Sequence, residues 1–464
     1  MAIDLLRVLL AWSVILPAIF LAGSWFRRFL QLGGVVYQGV LCCAIGMAIV
    51  SYGVVLLSAL HLLNSSSIWV FLLALILGQL LRLRELLFWL KSIFHEITSE
   101  SSFISRALVF IFIVSFFALL AGTLSPEIGG DALCYQLNLP KVFLMNGSIS
   151  PNYYDLNSYF PMFLNNLYLV GLAIGGTMAA KLFHFFCGFL LFITVKRVVA
   201  QETKNEALSL FAALTLWLTP TIYNMLSTTY VDVGLTFYTF LALWTLRIAF
   251  DRADLRLFLL SGFLIGCAVS IKYLAALSVI ALLAIWIIET LRHGHFLRHF
   301  KSLLLWGIAL LIGCGYWILR NWYLTGNPVF PYFSGLFGTE IYSGTDFSIF
   351  GTGRDLFDFI SLFWNMFYRP QSFGAFSNRI GIFYFLYGPF ILLSFLFSRR
   401  SRIYICFALF FVILWFCVFQ YDRFLLPALP AMTIAASVGL SWFFSQMSSK
   451  FGIAAKFVFG GIGL

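Results

Sequence analysis

Apolar segments long enough to cross a membrane follow one another along almost the whole chain. A membrane-spanning helix needs about 20 predominantly apolar residues. The sequence therefore predicts an all-α polytopic membrane protein with about thirteen transmembrane helices. Their approximate positions are residues 5–25, 34–61, 67–81, 104–124, 177–195, 206–222, 233–250, 257–270, 273–290, 302–319, 381–398, 403–419 and 425–445.

The composition argues against a set of soluble domains. Of the 464 residues, 62% are hydrophobic, 10% are charged, and the mean hydropathy is +0.97; these values are typical of polytopic membrane proteins. The net charge of +11 is better explained by basic loops at one membrane face than by nucleic-acid binding, because no domain-sized basic block exists. The eight cysteines lie mostly within apolar runs without zinc-ligand spacing, so we interpret them as packing residues.

Clusters of Lys and Arg predict which loops face the cytoplasm. Arg27 and Arg28 follow the first apolar run, and further basic clusters lie within residues 82–91, 292–301 and 399–402. Placing the first clusters inside puts the N-terminus outside and leaves all the dense clusters on one side. No small-residue cleavage site follows the first run, which indicates a retained helix. We expect a multi-pass protein of the inner (plasma) membrane.

Residues 126–150 form the first strongly polar segment after nearly unbroken membrane sequence. Acidic side chains at a membrane boundary lose solvation energy, so they are expected either to pair with another group or to have a function. Asp131 follows two glycines and could act as a general base toward a hydroxyl or amine, and Glu127 is a second candidate. A plain solvated loop is the alternative interpretation, and helix capping is another for both Asp131 and Asp232.

Three segments do not fit simple spans. Residues 161–175 contain Asn165 and Asn166, so an interfacial or re-entrant helix is predicted there rather than a crossing. A polar and aromatic loop of about sixty residues, 321–379, is predicted on the outer face. Residues 446–464 resemble the start of another span, which predicts a partial or interfacial helix.

Basic residues on the predicted outer face contradict the general charge bias of the chain. Lys272, Arg320 and Arg423 all fall there, and a basic residue on this side suggests a local anionic partner such as phosphate. The alternative is pairing with neighbouring acids; for Lys272 it is snorkelling. His184 lies within a span and is interpreted as a packed, hydrogen-bonded core residue.

The order of these features resembles the GT-C superfamily of polytopic glycosyltransferases, and in particular the bacterial enzymes similar to protein O-mannosyltransferases and to the aminoarabinose transferase of lipid A. The resemblance covers residues 104–445, which leaves three additional N-terminal helices in 1–103 and a C-terminal segment 446–464. It is carried by the stretches EIGGDALCYQLNLPKVFLMNGSI, YFPMFLNNLYLVGLAIGGTMAAKLFHF, LTPTIYNMLSTTYVDVGLTFYTFLAL, GFLIGCAVSIKYLAAL, RNWYLTGNPVFPYF and YDRFLLPALPA.

The resemblance implies a bundle with interfacial helices in the first large outer loop. It also implies a polyprenyl-phosphate-linked sugar donor, an acceptor bound at the outer face, and inversion at the anomeric carbon. The implied roles are catalysis by Asp131, acceptor binding or site shaping by Asp232 and Tyr135, and neutralisation of the donor phosphate by basic side chains. Those basic residues are Lys272, Arg320 and Arg423.

One departure leaves the identity of the base open. The branch often has a second acid adjacent to the first, whereas Ala132 and Leu133 follow Asp131 here, so Glu127 could be the functional acid. No cluster of His and acidic residues indicates a metal, although Asp131 and Asp232 could share a divalent cation.

Two other functions remain open from the sequence. A transporter or flippase of lipid-linked glycans would be expected to show charges within several spans and repeated halves, and neither is evident. A polymerase or ligase of surface polysaccharide would use arginines and histidines of a large outer loop; the predicted outer face has arginines but hardly any histidine. The leading expectation is therefore a glycosyltransferase.

Overall fold

The computed structural model describes residues 2–27, 34–98, 102–152, 155–293, 296–339, 349–374, 380 and 382–459, and these contain helices but no β-strand. The α-helices are α1 Ala2–Ser24, α2 Val35–Ala59, α3 Ser65–Leu77, α4 Leu83–Thr98, α5 Phe103–Thr123, α6 Asn138–Asn146, α7 Phe163–Gly175, α8 Thr177–Thr203, α9 Glu206–Trp217, α10 Pro220–Leu226, α11 Asp232–Arg252, α12 Leu255–Ile271, α13 Ala275–His293, α14 Phe296–Thr325, α15 Ser334–Phe337, α16 Leu356–Ile360, α17 Leu362–Tyr368, α18 Phe383–Leu386, α19 Gly388–Phe397, α20 Arg402–Val418 and α21 Leu429–Phe459.

The helices confirm the prediction of an all-α, multi-pass membrane protein. Eight of the described helices are long and apolar enough to cross a membrane, or ten if each of two bent pairs forms one span. Four shorter apolar helices, α7, α12, α18–α19 and α20, accompany them. Each of the thirteen predicted apolar runs coincides with a helix or a bent helix pair. Residues 446–459 continue α21, while 460–464 lie outside the described residues, as do 340–348 and 375–379 of the large predicted loop.

Two spans bend sharply, and the second bend has a clear local cause. α3 and the helical turns that follow it meet at 68°, and α9 and α10 meet at 71°. Thr219 has an extended ψ of 119° and Pro220 is the first residue of α10. A residue before proline avoids helical geometry, and proline is well suited to the first turn of a helix. α9 therefore stops, and α10 turns away from its axis.

Helix α7, where the sequence predicts an interfacial or re-entrant helix, is packed among the other helices. Nearly all of its residues are buried. The Asn165 amide nitrogen donates to the Gln136 carbonyl at 2.8 Å and to its side-chain oxygen at 2.6 Å, while that of Asn166 donates to the Ser51 carbonyl at 3.2 Å. Other parts of the chain thus supply partners for both amide nitrogens, while Asn166 Oδ1 is buried without a hydrogen-bond partner.

The N-terminal helices are packed into the bundle rather than beside it. α1 and α2 approach so closely that a Cβ on Gly46 would lie 1.7 Å from the Ile19 carbonyl oxygen; small residues permit such contacts between membrane helices. Polar bonds tie α2 to other helices. Tyr37 shares a 2.9 Å hydrogen bond with Thr245 of α11, and Tyr238 of α11 donates to the Ala44 carbonyl at 2.7 Å.

Glycine also fixes the contact between α12 and α14. A Cβ on Gly266 would lie 2.9 Å from Gly313 Cα and 2.3 Å from the Leu310 carbonyl oxygen. The site end of the bundle, as we use the term, is the end at which α11 begins and α12 and α14 finish. A 3₁₀ turn, Asp422–Ala428, precedes α21 at the same end.

Candidate functional site

The polar segment after α5 is fixed at its base by a buried lysine of α8. Lys181 Nζ donates to the carbonyls of Gly122 at 3.1 Å and Ser125 at 2.8 Å. A cation at a helix C-terminus satisfies the free carbonyls and interacts favourably with the helix dipole. This contact was not predicted from the sequence; a lysine four residues into an apolar helix was the only available signal.

Glu127 binds the neighbouring loop instead of facing an open space. Its Oε1 accepts from the backbone N–H groups of Ile128 and Gly129, both at 2.9 Å. Its Oε2 accepts from Thr229 N at 2.9 Å and Thr229 Oγ1 at 3.1 Å. Four donors therefore occupy this carboxylate and join the start of the polar segment to the loop between α10 and α11.

Asp131 forms an ion pair with Arg423. Asp131 Oδ2 lies 2.6 Å from Arg423 Nη2, and the Asp131 side chain is 33% exposed. The segment Ala132–Gln136 forms a single turn of π-helix directly after Asp131, a feature often found at functional sites. The Arg423 guanidinium also lies over the rings of Tyr230 and Tyr421, at 5.3 Å and 5.1 Å, which favours a cation.

A buried acid fixes the backbone that carries Arg423. Asp422 is 4% exposed. Its Oδ1 accepts from the Arg423 backbone N at 2.6 Å, and its Oδ2 accepts from Thr221 Oγ1 of α10 at 3.2 Å. The bend at Pro220 thus helps to position Arg423 through Asp422, a relation that the sequence did not reveal.

Asp232 and Lys272 form the second ion pair of the site. Asp232 Oδ1 lies 2.8 Å from Lys272 Nζ, and the side chains are 2% and 23% exposed, respectively. Asp232 is the first residue of α11 and Lys272 directly follows α12. The Lys272 ammonium lies 4.1 Å above the Phe424 ring, and the Arg423 guanidinium lies 5.6 Å from the same ring. The two ion pairs therefore meet at Phe424.

His184 supports the start of α11 from within the bundle. Its Nε2 accepts from Val233 N at 3.1 Å, so Nδ1 carries the proton and donates to the Met225 carbonyl at 2.9 Å. These contacts confirm the interpretation of His184 as a packed, hydrogen-bonded core residue. Because Val233 directly follows Asp232, the histidine also restricts the position of that carboxylate.

A cavity adjoins the ion pairs. It is partly open, and its volume, including the solvent at its mouth, is about 460 Å³. Burial raises the pKa of the Tyr135 hydroxyl and the Asp131 carboxylate raises it further, so this hydroxyl stays a proton donor. Burial lowers the pKa of Lys272, whereas the Asp232 carboxylate opposes that change. The lining includes Tyr135, Gln136, Asn165, Lys272, Tyr273 and Tyr332.

Arg320 is not among the residues that line this cavity. Its Nη2 donates to the Ser158 carbonyl at 2.8 Å, and its guanidinium lies 5.2 Å from the Trp317 ring. The next residue, Asn321, donates to Tyr273 Oη at 2.9 Å. Among the described residues, no carboxylate pairs with Arg320, in contrast to Lys272 and Arg423.

The structure brings together most of the residues that the sequence singled out. Asp131, Asp232, Lys272 and Arg423 meet around Phe424, and Tyr135 lines the adjoining cavity. Glu127 lies at the base of the segment, and Arg320 does not line the cavity. Pairing with neighbouring acids, the alternative to phosphate binding, is present for Lys272 and Arg423. Phe424, Tyr230 and Asp422 belong to this arrangement and were not predicted as site residues.

The two carboxylates that could share a divalent cation contact different basic side chains. Asp131 contacts Arg423, and Asp232 contacts Lys272. Within the described part of the chain, no group of three or more His, Cys, Asp or Glu side chains is arranged to hold a metal ion.

Comparisons with known proteins give the fold. The chain resembles ArnT from Cupriavidus metallidurans in two crystal structures. The structure bound to undecaprenyl phosphate has a TM-score of 0.52 at 16% identity, and the apo structure has a TM-score of 0.51 at 18% identity. The chain therefore shares the overall fold of ArnT. The fold expected from the resemblance of the sequence motifs is confirmed.

The extent of each match limits what carries over to this chain. The two alignments cover 76% of this chain and 64% of the ArnT chain, less than two thirds of its length. A model of the dolichyl-phosphate-mannose-protein mannosyltransferase family matches residues 162–317, a part of the bundle that contains Asp232 and Lys272. A sequence search among curated proteins finds no significant match.

Proposed function

We propose that this protein is a glycosyltransferase that moves a sugar from a polyprenyl-phosphate-linked donor to an acceptor at the outer face of the membrane. One observation carries the proposal: two ion pairs from four separate elements converge on Phe424 beside a cavity, within a GT-C fold. Such a cluster of partly exposed charges in a cleft is a candidate for catalysis rather than for structure alone.

Asp131 is the proposed general base. It is the more exposed member of its ion pair, and Arg423 holds it in one orientation. A carboxylate placed in this way can accept the proton of an acceptor hydroxyl or amine as that group attacks the anomeric carbon. Glu127 is the weaker candidate, because its two oxygens already accept four hydrogen bonds.

We propose inversion at the anomeric carbon, because a single carboxylate base is enough for one direct displacement. A retaining double displacement would need a further carboxylate that acts as the nucleophile. Asp232 is 2% exposed and bound to Lys272, which suits site shaping or acceptor binding instead. A single displacement by the acceptor then inverts the configuration.

Three basic side chains are the proposed partners of the donor phosphate. Lys272 reaches the cavity while still bound to Asp232, and Arg423 lies against the same Phe424 ring. Arg320 is the free cation of the three, since no described carboxylate pairs with it. A guanidinium suits phosphate because it presents several donors in a fixed plane. The ArnT structure bound to undecaprenyl phosphate supports a donor of this chemical class.

An apolar groove near the site could hold the polyprenyl chain. It has a volume of about 1390 Å³ and is lined by aromatic and aliphatic side chains of α16–α21. Tyr384 in its wall makes a 3.5 Å hydrogen bond with Thr219, which lies two residues before the Thr221 that binds Asp422. The groove therefore adjoins the elements that position Arg423.

The test is transfer by the full chain in proteoliposomes, supplied with polyprenyl-phosphate sugars and the glycans or lipids that change in a deletion strain. Mass spectrometry of surface glycans and lipid-linked sugars in that strain identifies which donor and acceptor to supply. Asp131→Asn is expected to lower transfer by about 100-fold or more, with normal membrane insertion and retained donor binding. Asp254→Asn, at the opposite end of the bundle, is the matched carboxyl-to-amide control.

Two results would count against the proposal in different ways. Undiminished transfer by Asp131→Asn would remove its assignment as the base and direct attention to Glu127. Failure of the native protein to bind or transfer any donor that accumulates in the deletion strain would remove the glycosyltransferase assignment itself. Retention of configuration in the product, measured by NMR, would contradict the single displacement.

A further inference from the structure

A second charged groove lies far from the candidate site. It is formed by the start of α2, by α4, by the end of α8 and by the start of α9, and its volume is about 1050 Å³. Arg197 of this groove lies sixteen residues after Lys181 on α8, which corresponds to about 24 Å along the helix. No step of the proposed transfer uses this groove.

Side chains of both charges line the groove. Lys91 and Arg197 supply positive charge, and Glu96 and Glu206 supply negative charge. The Lys91 ammonium is exposed and has no carboxylate partner among the described residues. Glu206 is 40% exposed in its side chain and pairs through Oε2 with the buried Lys196 at 2.7 Å.

The central ion pair of the groove is incomplete. Arg197 Nη1 lies 3.6 Å from Glu96 Oε2, which exceeds the length of a charge-assisted hydrogen bond. Arg197 Nε and Glu96 Oε1 are both buried without a hydrogen-bond partner. Buried polar groups are almost always satisfied in native proteins, so the pair lacks bonds that its groups normally make. The Arg197 side chain is 33% exposed, so a polar ligand in the groove can reach its guanidinium.

The groove borders a helix with an apolar flank. Trp89 and Ile93 on one side of α4 are buried, and Trp89 Nε1 donates to the Val36 carbonyl at 3.0 Å. Leu87, Phe88 and Phe94 on other sides are exposed. An amphipathic helix with exposed apolar side chains next to basic residues is typical of a segment at a lipid headgroup boundary.

We propose that this groove binds the headgroup of a zwitterionic phospholipid with a phosphodiester and a primary ammonium, as in phosphatidylethanolamine. The phosphate would meet Arg197 and Lys91, and the ammonium would meet the carboxylates of Glu96 and Glu206. A purely anionic headgroup leaves the two carboxylates opposed by like charge, whereas a zwitterion complements both signs. The acyl chains would lie along the exposed apolar flank at Phe88.

The test is native mass spectrometry of the full chain released from bilayer discs that contain equal amounts of phosphatidylethanolamine, phosphatidylcholine and phosphatidylglycerol. We expect one phosphatidylethanolamine molecule to be retained in preference to the other two lipids. Phosphatidylcholine has the same charges but no N–H donors, and phosphatidylglycerol lacks the ammonium. Arg197→Gln and Lys91→Gln are each expected to weaken this binding by about tenfold, the effect of losing one hydrogen bond to a charged group.

Arg256→Gln, an exposed charge at the same end but outside the groove, is the matched control and is expected to bind normally. Lys91 is exposed and unpaired, so its variant tests the assignment even where Arg197→Gln fails to fold. Equal retention of the three lipids, or unchanged binding by Lys91→Gln, would overturn the proposal. If soluble glycerophosphoethanolamine binds as tightly as the lipid, the acyl chains contribute nothing and the proposal of a lipid occupant is wrong. None of these results depends on transfer activity.

Discussion

Buried ion pairs occur at both ends of the bundle, and they differ in what surrounds them. At the end opposite the site, Arg247 Nη2 lies 2.6 Å from Glu202 Oε1, with side chains 10% and 7% exposed. The Arg247 guanidinium also lies 5.5 Å from the Tyr404 ring. At the site end, the Lys272 side chain is 23% exposed and that of Asp131 is 33% exposed. One pair is enclosed, and the other two each keep a member accessible.

This difference in exposure indicates a structural role for the Arg247–Glu202 pair and a role in the reaction for the two pairs at the site end. An enclosed pair must be satisfied by its own partners, because breaking it leaves an uncompensated buried charge. A pair that keeps one accessible member can exchange a protein contact for a contact with substrate. The comparison therefore predicts that both kinds of pair contribute to stability, but that only the pairs at Phe424 are needed for transfer.

The largest expected effect comes from two variants of the Asp232–Lys272 pair: one removes only the cation, and the other removes both charges. Lys272→Met leaves Asp232 buried without its cation and is expected to lower the free energy of unfolding by about 3–5 kcal/mol. The double variant Lys272→Met with Asp232→Asn removes both charges and is expected to regain much of that loss. Transfer should be absent in both. Thermal unfolding in detergent measures stability, and donor turnover measures transfer. A double variant that still transfers sugar would show that the charges of this pair are not needed for the reaction.

The matching change at the opposite end should separate stability from activity. Arg247→Met is expected to lower the free energy of unfolding by a similar amount, about 3–5 kcal/mol, because Glu202 is then buried without a partner. The protein that does fold should transfer sugar at the native rate per molecule. The measurement is activity normalised to the folded fraction. A selective loss of turnover without loss of stability would show that the enclosed pair also serves the reaction.

Glu127 provides a test with a smaller expected effect. Its oxygens are hydrogen-bonded to groups of the chain itself, although it precedes Asp131 by only four residues. Glu127→Gln replaces one acceptor oxygen by an amide that cannot accept from the N–H groups facing it, which is expected to cost about 1–3 kcal/mol of stability. Folded protein should keep measurable transfer, in contrast to Asp131→Asn. Loss of transfer with normal stability in Glu127→Gln alone would reverse the two assignments.

The positions of the helices were predictable because the membrane sets their length. The thirteen apolar runs coincide with helices, and basic clusters mark their ends. Helix α7 could not be assigned in the same way. Asn165 and Asn166 argued against a membrane crossing, and their partners Gln136 and Ser51 come from other elements. A sequence does not show which distant group will satisfy a buried polar side chain.

The sequence allowed us to predict which charged residues belong to the site, but not which acid pairs with which base. The acids and bases stood out because charge is rare in this chain. Asp131 and Arg423 lie far apart in sequence, and their contact depends on the 3₁₀ turn that Asp422 fixes to α10. Phe424 was overlooked because one more apolar residue carries no signal in a chain that is 62% hydrophobic.

The smallest expected effect concerns Arg320, the site-end cation with no described carboxylate partner. Arg320→Gln breaks no ion pair and removes the hydrogen bond to the Ser158 carbonyl, so it should lower the free energy of unfolding by about 1–3 kcal/mol, less than Lys272→Met. If its guanidinium binds the donor phosphate, the variant should raise KM for the donor by about tenfold, the loss of one charged hydrogen bond. Arg354→Gln is the control, because Arg354 donates to the Cys417 carbonyl and does not line the cavity. An unchanged KM would place Arg320 among the structural charges, since its bond to Ser158 would then be its whole contribution.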